Sequence, residues 1–331
     1  MPTPRSPSTL LAAARLYYLH NRSQAEIARE LGTSRSNVSR MLTEALRQGI
    51  VEIKINDPSG RVTALENDLR SRFGLTDARV ARRAPVSSFS VEDQVGAQAA
   101  QLLVDNLRDS MTVALSWGNA LQAMVYSTEV SRDYAVTLVP LVGGLSSVSN
   151  GISGAELVRE LATRLGADYV SLHAPATFGS VHSRNALLEE PSITETLAVS
   201  KGSDMAFVGI GTPSQGSSSS ILASINLSAE EEKEFWGFEP VGDVAARYYD
   251  GAGREFKGAV ADRILAITLE DLIQIPNVVG VAFGRAKTSG VLGALRGHLI
   301  DSLVCDEVLA RALLSEPLAP VPNMSERGDK R

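Results

Sequence analysis

The sequence predicts an α/β protein in which a small helical N-terminal unit precedes a larger domain with a mostly parallel sheet. From about residue 78 onward, short apolar runs such as Thr112–Leu115 and Tyr169–His173 read as strands and alternate with helical patterns, as in parallel strands joined by crossover helices. Apolar residues make up 44% and aromatic residues 5% of the 331 residues, which favours an Ala/Val/Leu-rich core over an all-β sandwich. We therefore expect the larger domain to be Rossmann-like.

Cysteine content and hydropathy exclude several classes of protein. Cys305 is the only cysteine, so the chain can form neither an intramolecular disulfide nor a cysteine-cluster metal site. Arg15 interrupts the apolar run Leu10–Ala14, which leaves no signal-peptide core. No run of about 18 apolar residues is present to span a membrane. These features predict a cytoplasmic protein.

Charge is distributed unevenly along the chain. Residues 1–61 contain nine Lys or Arg and five acidic residues, a balance of +4, whereas the remainder carries 23 basic and 33 acidic residues. A basic N-terminal segment on an acidic body indicates a polyanionic partner at one end of the chain, although many basic termini are simply solvated.

The basic segment contains the pattern of a helix-turn-helix. Helices are predicted over residues 8–20, 24–31 and 35–48. Ser23 and Glu26 form a capping box for the second helix, Gly32 ends it, and Ser34 can cap the third. The third helix would bury an apolar face made of Val38, Met41, Leu42 and Ala45. Two short helices joined by a glycine turn predict a helix-turn-helix.

The outer face of the third helix carries side chains that suit DNA recognition. Arginine, asparagine and serine bind phosphates and base edges in the major groove, and a recognition helix presents them in its first turns. The alternative is a plain helical hairpin, which would not require such a face. The predicted DNA-binding residues are Ser34, Arg35, Ser36, Asn37, Ser39 and Arg40.

The remaining boundaries follow from composition. Gly49–Ile55 alternates like a short strand and completes a winged helix-turn-helix domain over residues 1–58. Residues 59–75 form a connecting helix whose apolar repeat either docks on its own domain or forms a dimerisation seam. A ligand-binding domain spans residues 76–314, and the proline-containing tail 315–331 is predicted to be disordered.

Small residues follow several predicted strands of the larger domain. In parallel sheets ligands bind beyond the carboxyl ends of strands, and small residues at helix N-termini leave N–H groups free for an anion. Arg285 and Lys287 lie in the first turn of a helix, where the helix dipole opposes cations unless an anion is near. These loops, which predict an anion site, are Ser116–Asn119, Val142–Ser147, Gly211–Ser214 and Gly284–Ser289.

Other motifs are incomplete. Gly209 and Gly211 lack the third glycine of the dinucleotide fingerprint, and no phosphate loop with Gly-Lys is present. The four histidines have no metal-ligand spacing. The sequence therefore predicts neither a cofactor nor a metal.

Several segments resemble the SorC family of bacterial sugar-responsive transcriptional regulators. The resemblance covers residues 8–314 in the same order along the chain. It is carried by Glu26–Arg40, Ser116–Gly118, Pro140–Gly144, Asp204–Gly211, Val241–Asp250 and Lys287–Glu307.

This resemblance implies an effector domain related to sugar-phosphate isomerases, joined to a winged helix that binds palindromic operator DNA as a dimer or tetramer. The effector would be a sugar phosphate or a related metabolite. Some members carry a lysine just before the Gly-Gly pair that bonds covalently to an aldehyde sugar; here Val142 stands there, so reversible polar binding is expected. Transferred by motif, the phosphate would lie near Gly143, Gly144, Ser146 and Lys287. Ser116, Gly118, Asn119 and Gly211 would also bind the effector, and Asp243 and Arg247 would lie near its hydroxyls.

Two functions therefore remain open at the level of sequence. The first is a regulator whose operator affinity changes when a sugar phosphate binds, by linkage between the two sites. The second is a sugar-phosphate isomerase with a fused DNA-binding module, in which Asp243, Asp306 or Glu307 would act as a general base. A fold inherited from enzymes does not carry their activity with it, and no acid–base pair can be assigned, so the regulator is favoured.

Overall fold

The computed structural model describes residues 7–51, 60–83, 90–144 and 154–317. The chain divides into two compact units, Met1–Pro58 and Ser59–Arg331. Most of the predicted wing strand and of the predicted disordered tail lies outside the described residues. Within those residues, no helix is both long and apolar enough to cross a membrane.

Over residues 7–51, the described part of the first unit, there are three helices: α1 (Pro7–Tyr18), α2 (Gln24–Glu30) and α3 (Arg35–Arg47). The three helices bury one apolar cluster, in which long and small side chains alternate. That cluster consists of Leu10, Ala13, Ala14, Ile27, Ala28, Val38, Met41, Leu42 and Ala45. The helix-turn-helix prediction is thus confirmed.

Local hydrogen bonds fix the starts of α2 and α3, and a glycine makes the turn between them. Ser23 and Glu26 form the predicted capping box at the start of α2, and the Ser34 hydroxyl accepts from the Asn37 N–H at the start of α3. Gly32 has a φ of +59°, a left-handed conformation that glycine adopts without steric cost. The caps and the glycine together stop one helix and start the next within a few residues.

The second unit alternates strands and helices. The strands are β1 (Asp77–Ala81), β2 (Thr112–Leu115), β3 (Thr137–Pro140), β4 (Asp168–Tyr169), β5 (Met205–Gly211), β6 (Gly242–Val244), β7 (Arg247–Tyr249), β8 (Val278–Ala282) and β9 (Ser302–Asp306). The helices are α4 (Thr63–Phe73), α5 (Val91–Asn106), α6 (Asn119–Ser127), α7 (Gly154–Leu165), α8 (Val181–Leu188), α9 (Pro191–Lys201), α10 (Gly216–Ile225), α11 (Ala229–Gly237), α12 (Ala259–Asp262), α13 (Leu269–Leu272), α14 (Thr288–Arg296) and α15 (Glu307–Ser315). A 3₁₀ turn, Arg285–Lys287, precedes α14.

The central sheet is parallel and has the strand order β1-β9-β8-β5-β2-β3-β4. After β2 the chain builds the sheet toward β4, and it then returns to the other side of β2 with β5. The strand order therefore reverses between β2 and β5, which creates a crevice at their carboxyl ends. The hairpin of β6 and β7 pairs antiparallel with the end of β5.

Two sequence expectations for the sheet are wrong in detail. The predicted strand Tyr169–His173 is reduced to Asp168–Tyr169, an edge strand that pairs only with β3 within the described sheet. The hairpin β6–β7 was not predicted as strand, because both its three-residue strands are fully buried and show no alternation of polar and apolar side chains.

The connecting helix α4 is docked on the second unit. Leu65 and Leu69 are buried in its core, and Val62 and Phe73 pack against the same cluster. The apolar repeat is thus used within the unit to which the helix belongs, so this set of side chains does not form the alternative, a dimerisation seam.

Candidate functional site

A cleft of about 1360 Å³ opens at the point where the strand order reverses. Its walls come from segments far apart in sequence: the start of α5, the ends of β2, β5 and β8, the start of α10, the hairpin β6–β7 and the 3₁₀ turn. Parallel α/β sheets bind ligands at this position, because the loops after the two central strands diverge and leave an open crevice.

The end of β2 supplies one uncapped helix start to the cleft. Gly118 and Asn119, two of the residues that the sequence suggested for effector binding, line the cleft. Gly118 has a φ of +127° and provides no side-chain cap for α6, so the first N–H groups of this helix are not capped by a side chain. Ser116 does not line the cleft; its buried hydroxyl accepts a 3.1 Å hydrogen bond from the Gly209 N–H and ties β2 to β5.

The start of α10 supplies the cleft with a second helix N-terminus that has no side-chain cap. Its N-cap residue, Gln215, makes no side-chain cap hydrogen bond, and the four serines of residues 217–220 line the cleft. The sequence suggested the loop Gly211–Ser214 as part of the site, but these serines were not predicted. The sequence feature that could have identified them is the run of four serines directly after Gly216, which follows the loop at the end of β5.

Asp243 is the buried carboxylate of the site. It is 5% exposed, and the Ser218 hydroxyl donates to its Oδ1 at 2.5 Å. Burial raises the pKa of Asp243 to about 6, while the Ser218 hydrogen bond and then the Lys287 charge favour the ionised form. A Cβ at Gly211 would lie 1.9 Å from Asp243 Oδ1, so only glycine leaves room for this arrangement.

Close helix packing brings Lys287 to the same cleft. Helix α14 lies against the hairpin β6–β7 through Gly290 and Gly293: a Cβ at Gly293 would lie 2.9 Å from the Asp250 carbonyl oxygen. The Tyr249 hydroxyl donates to the Gly290 carbonyl at 3.0 Å. Lys287, the N-cap residue of α14, lines the cleft and its pKa is lowered by burial. Arg285 is exposed and does not line it, so only one of the two predicted cations faces this space.

The Gly-Gly pair after β3 does not line the cleft. The Gly143 N–H donates to the Leu265 carbonyl at 3.0 Å, and the Gly144 N–H donates to the Ala174 carbonyl at 2.8 Å. Both amides are therefore used in backbone pairing rather than left open to an anion. Ser146 lies outside the described residues.

Arg247 is also placed away from the cleft, contrary to the expectation that it would meet sugar hydroxyls. It pairs with Val244 across the hairpin, whereas Asp243 pairs with Tyr248, and neighbouring pairs on a hairpin point to opposite faces. The Arg247 guanidinium is buried and donates to backbone carbonyls, among them that of Ala266 at 2.8 Å. Its role is to hold this loop together.

The other predicted carboxylates have structural partners. Asp306 caps α15 and accepts from the Gly284 N–H at 2.8 Å, and Glu307 pairs with Arg311 at 2.7 Å. Neither lines the cleft. In the parts of the chain that the structure describes, no group of three or more His, Cys, Asp or Glu side chains is arranged to hold a metal.

In the first unit, α3 presents a polar outer face. Arg35, Ser36 and Ser39 are exposed. Arg40 is exposed too, and its Nε donates to the Ser36 carbonyl at 3.3 Å. Asn37 is half-buried and its amide donates to Thr33 Oγ1 at 2.7 Å, while Ser34 serves as the cap. The candidate base-reading and phosphate-binding groups of this face are therefore mainly the two arginines and the two exposed serines.

A helix-turn-helix unit followed by a parallel α/β domain with a polar cleft at its switch point defines a class of protein: DNA-binding regulators that carry a ligand-binding domain. Comparison with known families agrees. Residues 57–315 match the family model described as "Putative sugar-binding domain", and residues 15–48 match that of sigma-70 region 4.

Whole-length relatives have the same organisation. The sorbitol operon regulator of Klebsiella pneumoniae is 32% identical over 310 residues, which cover 92% of this chain and 97% of that protein. The deoxyribonucleoside regulator of Bacillus subtilis (strain 168) is 28% identical over 306 residues, with the same two coverages of 92% and 97%. The crystal structure of full-length SorC from Klebsiella pneumoniae matches with a TM-score of 0.71 at 30% identity, and the match covers 94% of this chain and 100% of that one.

The chain belongs to the SorC family of sugar-binding transcriptional regulators. It is a regulator rather than an enzyme, because relatives that match over nearly its whole length are regulators. The alternative of a sugar-phosphate isomerase with a DNA-binding module is thereby set aside.

Proposed function

We propose that the chain binds operator DNA through α3 and that a phosphorylated sugar in the cleft controls this binding. The observation that carries the proposal is the meeting of Asp243, Lys287 and two helix N-termini without side-chain caps, those of α6 and α10, in one cleft. Anions bind at helix N-termini because unpaired N–H groups and the helix dipole both favour negative charge.

The cleft offers different chemistry to the two ends of such a ligand. A phosphate would take the N–H groups at the starts of α6 and α10 together with Lys287, near Gly118 and Asn119. A hydroxyl of the sugar would donate to the Asp243 carboxylate, which lies beside Gly211. Of the sequence-predicted effector residues, the proposed site keeps five: Gly118, Asn119, Gly211, Asp243 and Lys287.

The described cleft limits the charge of the ligand. Its charged lining residues are Lys287 and three acids, Glu92, Asp93 and Asp243. One cation among three acids favours a ligand with a single phosphate over one with two, because a second phosphate would face uncompensated negative charge.

Regulation would follow by linkage. An effector that binds one arrangement of the subunits more tightly shifts the protein toward it, and so changes the spacing of two recognition helices on DNA. The proposal therefore includes assembly into dimers or tetramers on a palindromic operator, in the cytoplasm where that DNA lies. A sugar effector agrees with the names of two relatives, a sorbitol operon regulator and a deoxyribonucleoside regulator.

The effector site is tested by thermal shift and calorimetry of the full chain with ribose 5-phosphate, glucose 6-phosphate, fructose 6-phosphate and their unphosphorylated parents. One phosphate ester should stabilise the chain while its parent does not. The Lys287→Ala variant should bind that ester roughly 10- to 100-fold more weakly, the cost of one charged hydrogen bond. Lys233→Ala, an exposed lysine of α11 outside the cleft, is the matched control. Equal affinity in wild type and Lys287→Ala would show that Lys287 does not contact the phosphate ester.

The DNA site is tested with a duplex selected from a random library by the wild-type chain. Arg35→Ala and Arg40→Ala should each weaken binding by roughly 1–3 kcal/mol if the arginine reads a base, or reduce the salt slope by about one if it contacts a phosphate. Arg47→Ala is the control, because this arginine lies in the last turn of the same helix and pairs with Glu44. Wild-type affinity in both test variants would show that α3 does not recognise DNA.

A further inference from the structure

Ser218 is a buried polar residue of the cleft wall for which neither the family comparison nor the sequence suggested a role. It is 4% exposed and lies in the first turn of α10. Its hydroxyl donates to Asp243 Oδ1 at 2.5 Å, whereas the hydroxyls of Ser219 and Ser220 bond back to the Gly216 carbonyl of their own helix. Ser218 is thus the serine of this run that reaches across to the hairpin.

Both ends of Ser218 are held by the same pair of hairpin residues. Its carbonyl oxygen accepts from the Tyr248 hydroxyl at 2.7 Å, and Tyr248 is the cross-strand partner of Asp243. Gly211 lies beneath the pair: a Cβ there would lie 1.9 Å from Asp243 Oδ1 and 2.1 Å from Ser218 Oγ. The three segments therefore leave the Ser218 hydroxyl and the Asp243 carboxylate little freedom to move apart.

We propose that Ser218 is a positioning residue for effector recognition, whose hydroxyl holds the Asp243 carboxylate in one orientation and keeps it able to accept a hydrogen bond from a sugar hydroxyl. The inference rests on the proposed function for its biological meaning, and on the Ser218–Asp243–Gly211 geometry for its physical basis.

The electrostatic surroundings of Asp243 make this hydroxyl consequential. The titratable groups that interact electrostatically with the carboxylate are Lys287 from the turn before α14, and Tyr248 and Tyr249 from the hairpin. Burial raises the pKa of Asp243 to about 6, which is close to neutral pH. The loss of one hydrogen bond that stabilises the ionised form would therefore leave part of the Asp243 population protonated near pH 7. A protonated carboxyl donates through its own hydrogen and is a poorer acceptor for a sugar hydroxyl.

The first measurement needs no ligand. The Asp243 side-chain carbon is followed by ¹³C NMR from pH 4.5 to 8.5 in the full chain, with its signal assigned by its absence in Asp243→Asn. Ser218→Ala should raise the titration midpoint by about half a pH unit or more, since a hydroxyl that favours the charged form is lost. Ser218→Cys has a weaker donor of similar size, so its Asp243 titration midpoint should lie between those of wild type and Ser218→Ala. Ser224→Ala is the control, because this hydroxyl of the same helix bonds to the Ile221 carbonyl and Thr177.

The second measurement is the affinity for the stabilising sugar phosphate across the same pH range. Ser218→Ala should bind about twofold more weakly, or worse, at pH 6 and approach wild-type affinity near pH 8.5, where Asp243 is ionised in both proteins. A loss of affinity that is equal at every pH would mean a purely structural role and would overturn the proposal.

Together, the two measurements distinguish a failure of the positioning role of Ser218 from a failure of the proposed effector class. An unchanged Asp243 midpoint in Ser218→Ala overturns the positioning role whether or not any sugar phosphate binds. A shifted midpoint in a chain that binds none of the sugar phosphates supports the positioning of Asp243 and overturns the proposed effector class instead.

Discussion

Two buried carboxylates of the second unit, Glu66 and Asp243, have opposite surroundings. Glu66 is 2% exposed, receives two hydrogen bonds from the Arg61 guanidinium at 2.9 and 2.8 Å, and accepts a third from the Val80 N–H at 2.9 Å. Asp243 is equally buried but has the neutral Ser218 hydroxyl as its side-chain partner, and Lys287 attracts it as a nearby charge.

The difference indicates which of the two carboxylates is structural. Glu66 joins the segment before α4 to strand β1, and its charge is neutralised by a bidentate arginine. Asp243 is held in a poorly compensated site beside a cleft, which costs stability and is typical of a group that acts on a ligand. Removing each carboxylate should therefore have opposite effects on stability.

The largest expected effect is on the compensated pair. Glu66→Ala should lower the free energy of unfolding by roughly 3–5 kcal/mol, because it breaks a largely buried bidentate ion pair and leaves the Val80 N–H without its acceptor. Urea unfolding at pH 7 measures this. Glu307→Ala, which removes a more exposed pair with Arg311, should cost about 1 kcal/mol or less. Similar losses of stability in Glu66→Ala and Glu307→Ala would contradict the structural role assigned to Glu66.

A smaller effect of opposite sign is expected for Asp243→Asn. The folded-state pKa of Asp243 is about 6, above its ordinary value of 3.8, so its contribution to stability is fully present below pH 3.8 and is lost as the pH rises through 6. That loss amounts to about 3 kcal/mol, at about 1.4 kcal/mol per pH unit. Asparagine does not titrate, so the stability of the variant relative to wild type should increase by most of this amount, about 2.4 kcal/mol, between pH 4 and pH 7.5.

Urea unfolding at several pH values tests this prediction, and the effector titration accompanies it. The variant should gain relative stability at neutral pH and lose affinity for the effector. A stability difference that does not change with pH would show that burial does not raise the pKa of Asp243 in the folded chain.

The smallest effect is expected for the glycine beneath Asp243. Gly211→Ala places a methyl group where Asp243 Oδ1 and Ser218 Oγ now lie, so the pair must separate at a cost of roughly 1–3 kcal/mol for overpacking. Effector affinity should fall more steeply than stability. Gly237→Ala is the control, since a Cβ there would meet nothing within 4 Å. Unchanged effector binding in Gly211→Ala would show that the Ser218–Asp243 pair is not part of the site.

The first unit was largely predictable because its signals are local. The Ser23–Glu26 capping box and the Ser34 cap each join residues three positions apart, and the buried face of α3 follows helical periodicity. Except for the hairpin β6–β7, the strands of the second unit were found in the same way, as contiguous apolar runs, but the order in which they pair was not.

Errors in the site arose where side-chain direction depends on distant partners. Asp243 and Arg247 belong to one short motif, yet the hairpin sends them to opposite faces, toward the cleft and toward a loop. Gly143 and Gly144 suit an anion by composition, but the segments that contain Ala174 and Leu265 occupy their N–H groups. Neither outcome has a signal in the local sequence.

Local sequence was thus sufficient for the helix-turn-helix, for the α/β class and for most candidate loops, because caps, turns and periodicity act over a few residues. The cleft itself required the fold. Its lining residues run from Glu92 to Lys287, and they meet only because the strand order reverses between β2 and β5. The glycines of α14 then let that helix approach the hairpin. Which serine reaches Asp243, and which cation faces it, are decided by that packing and not by spacing along the chain.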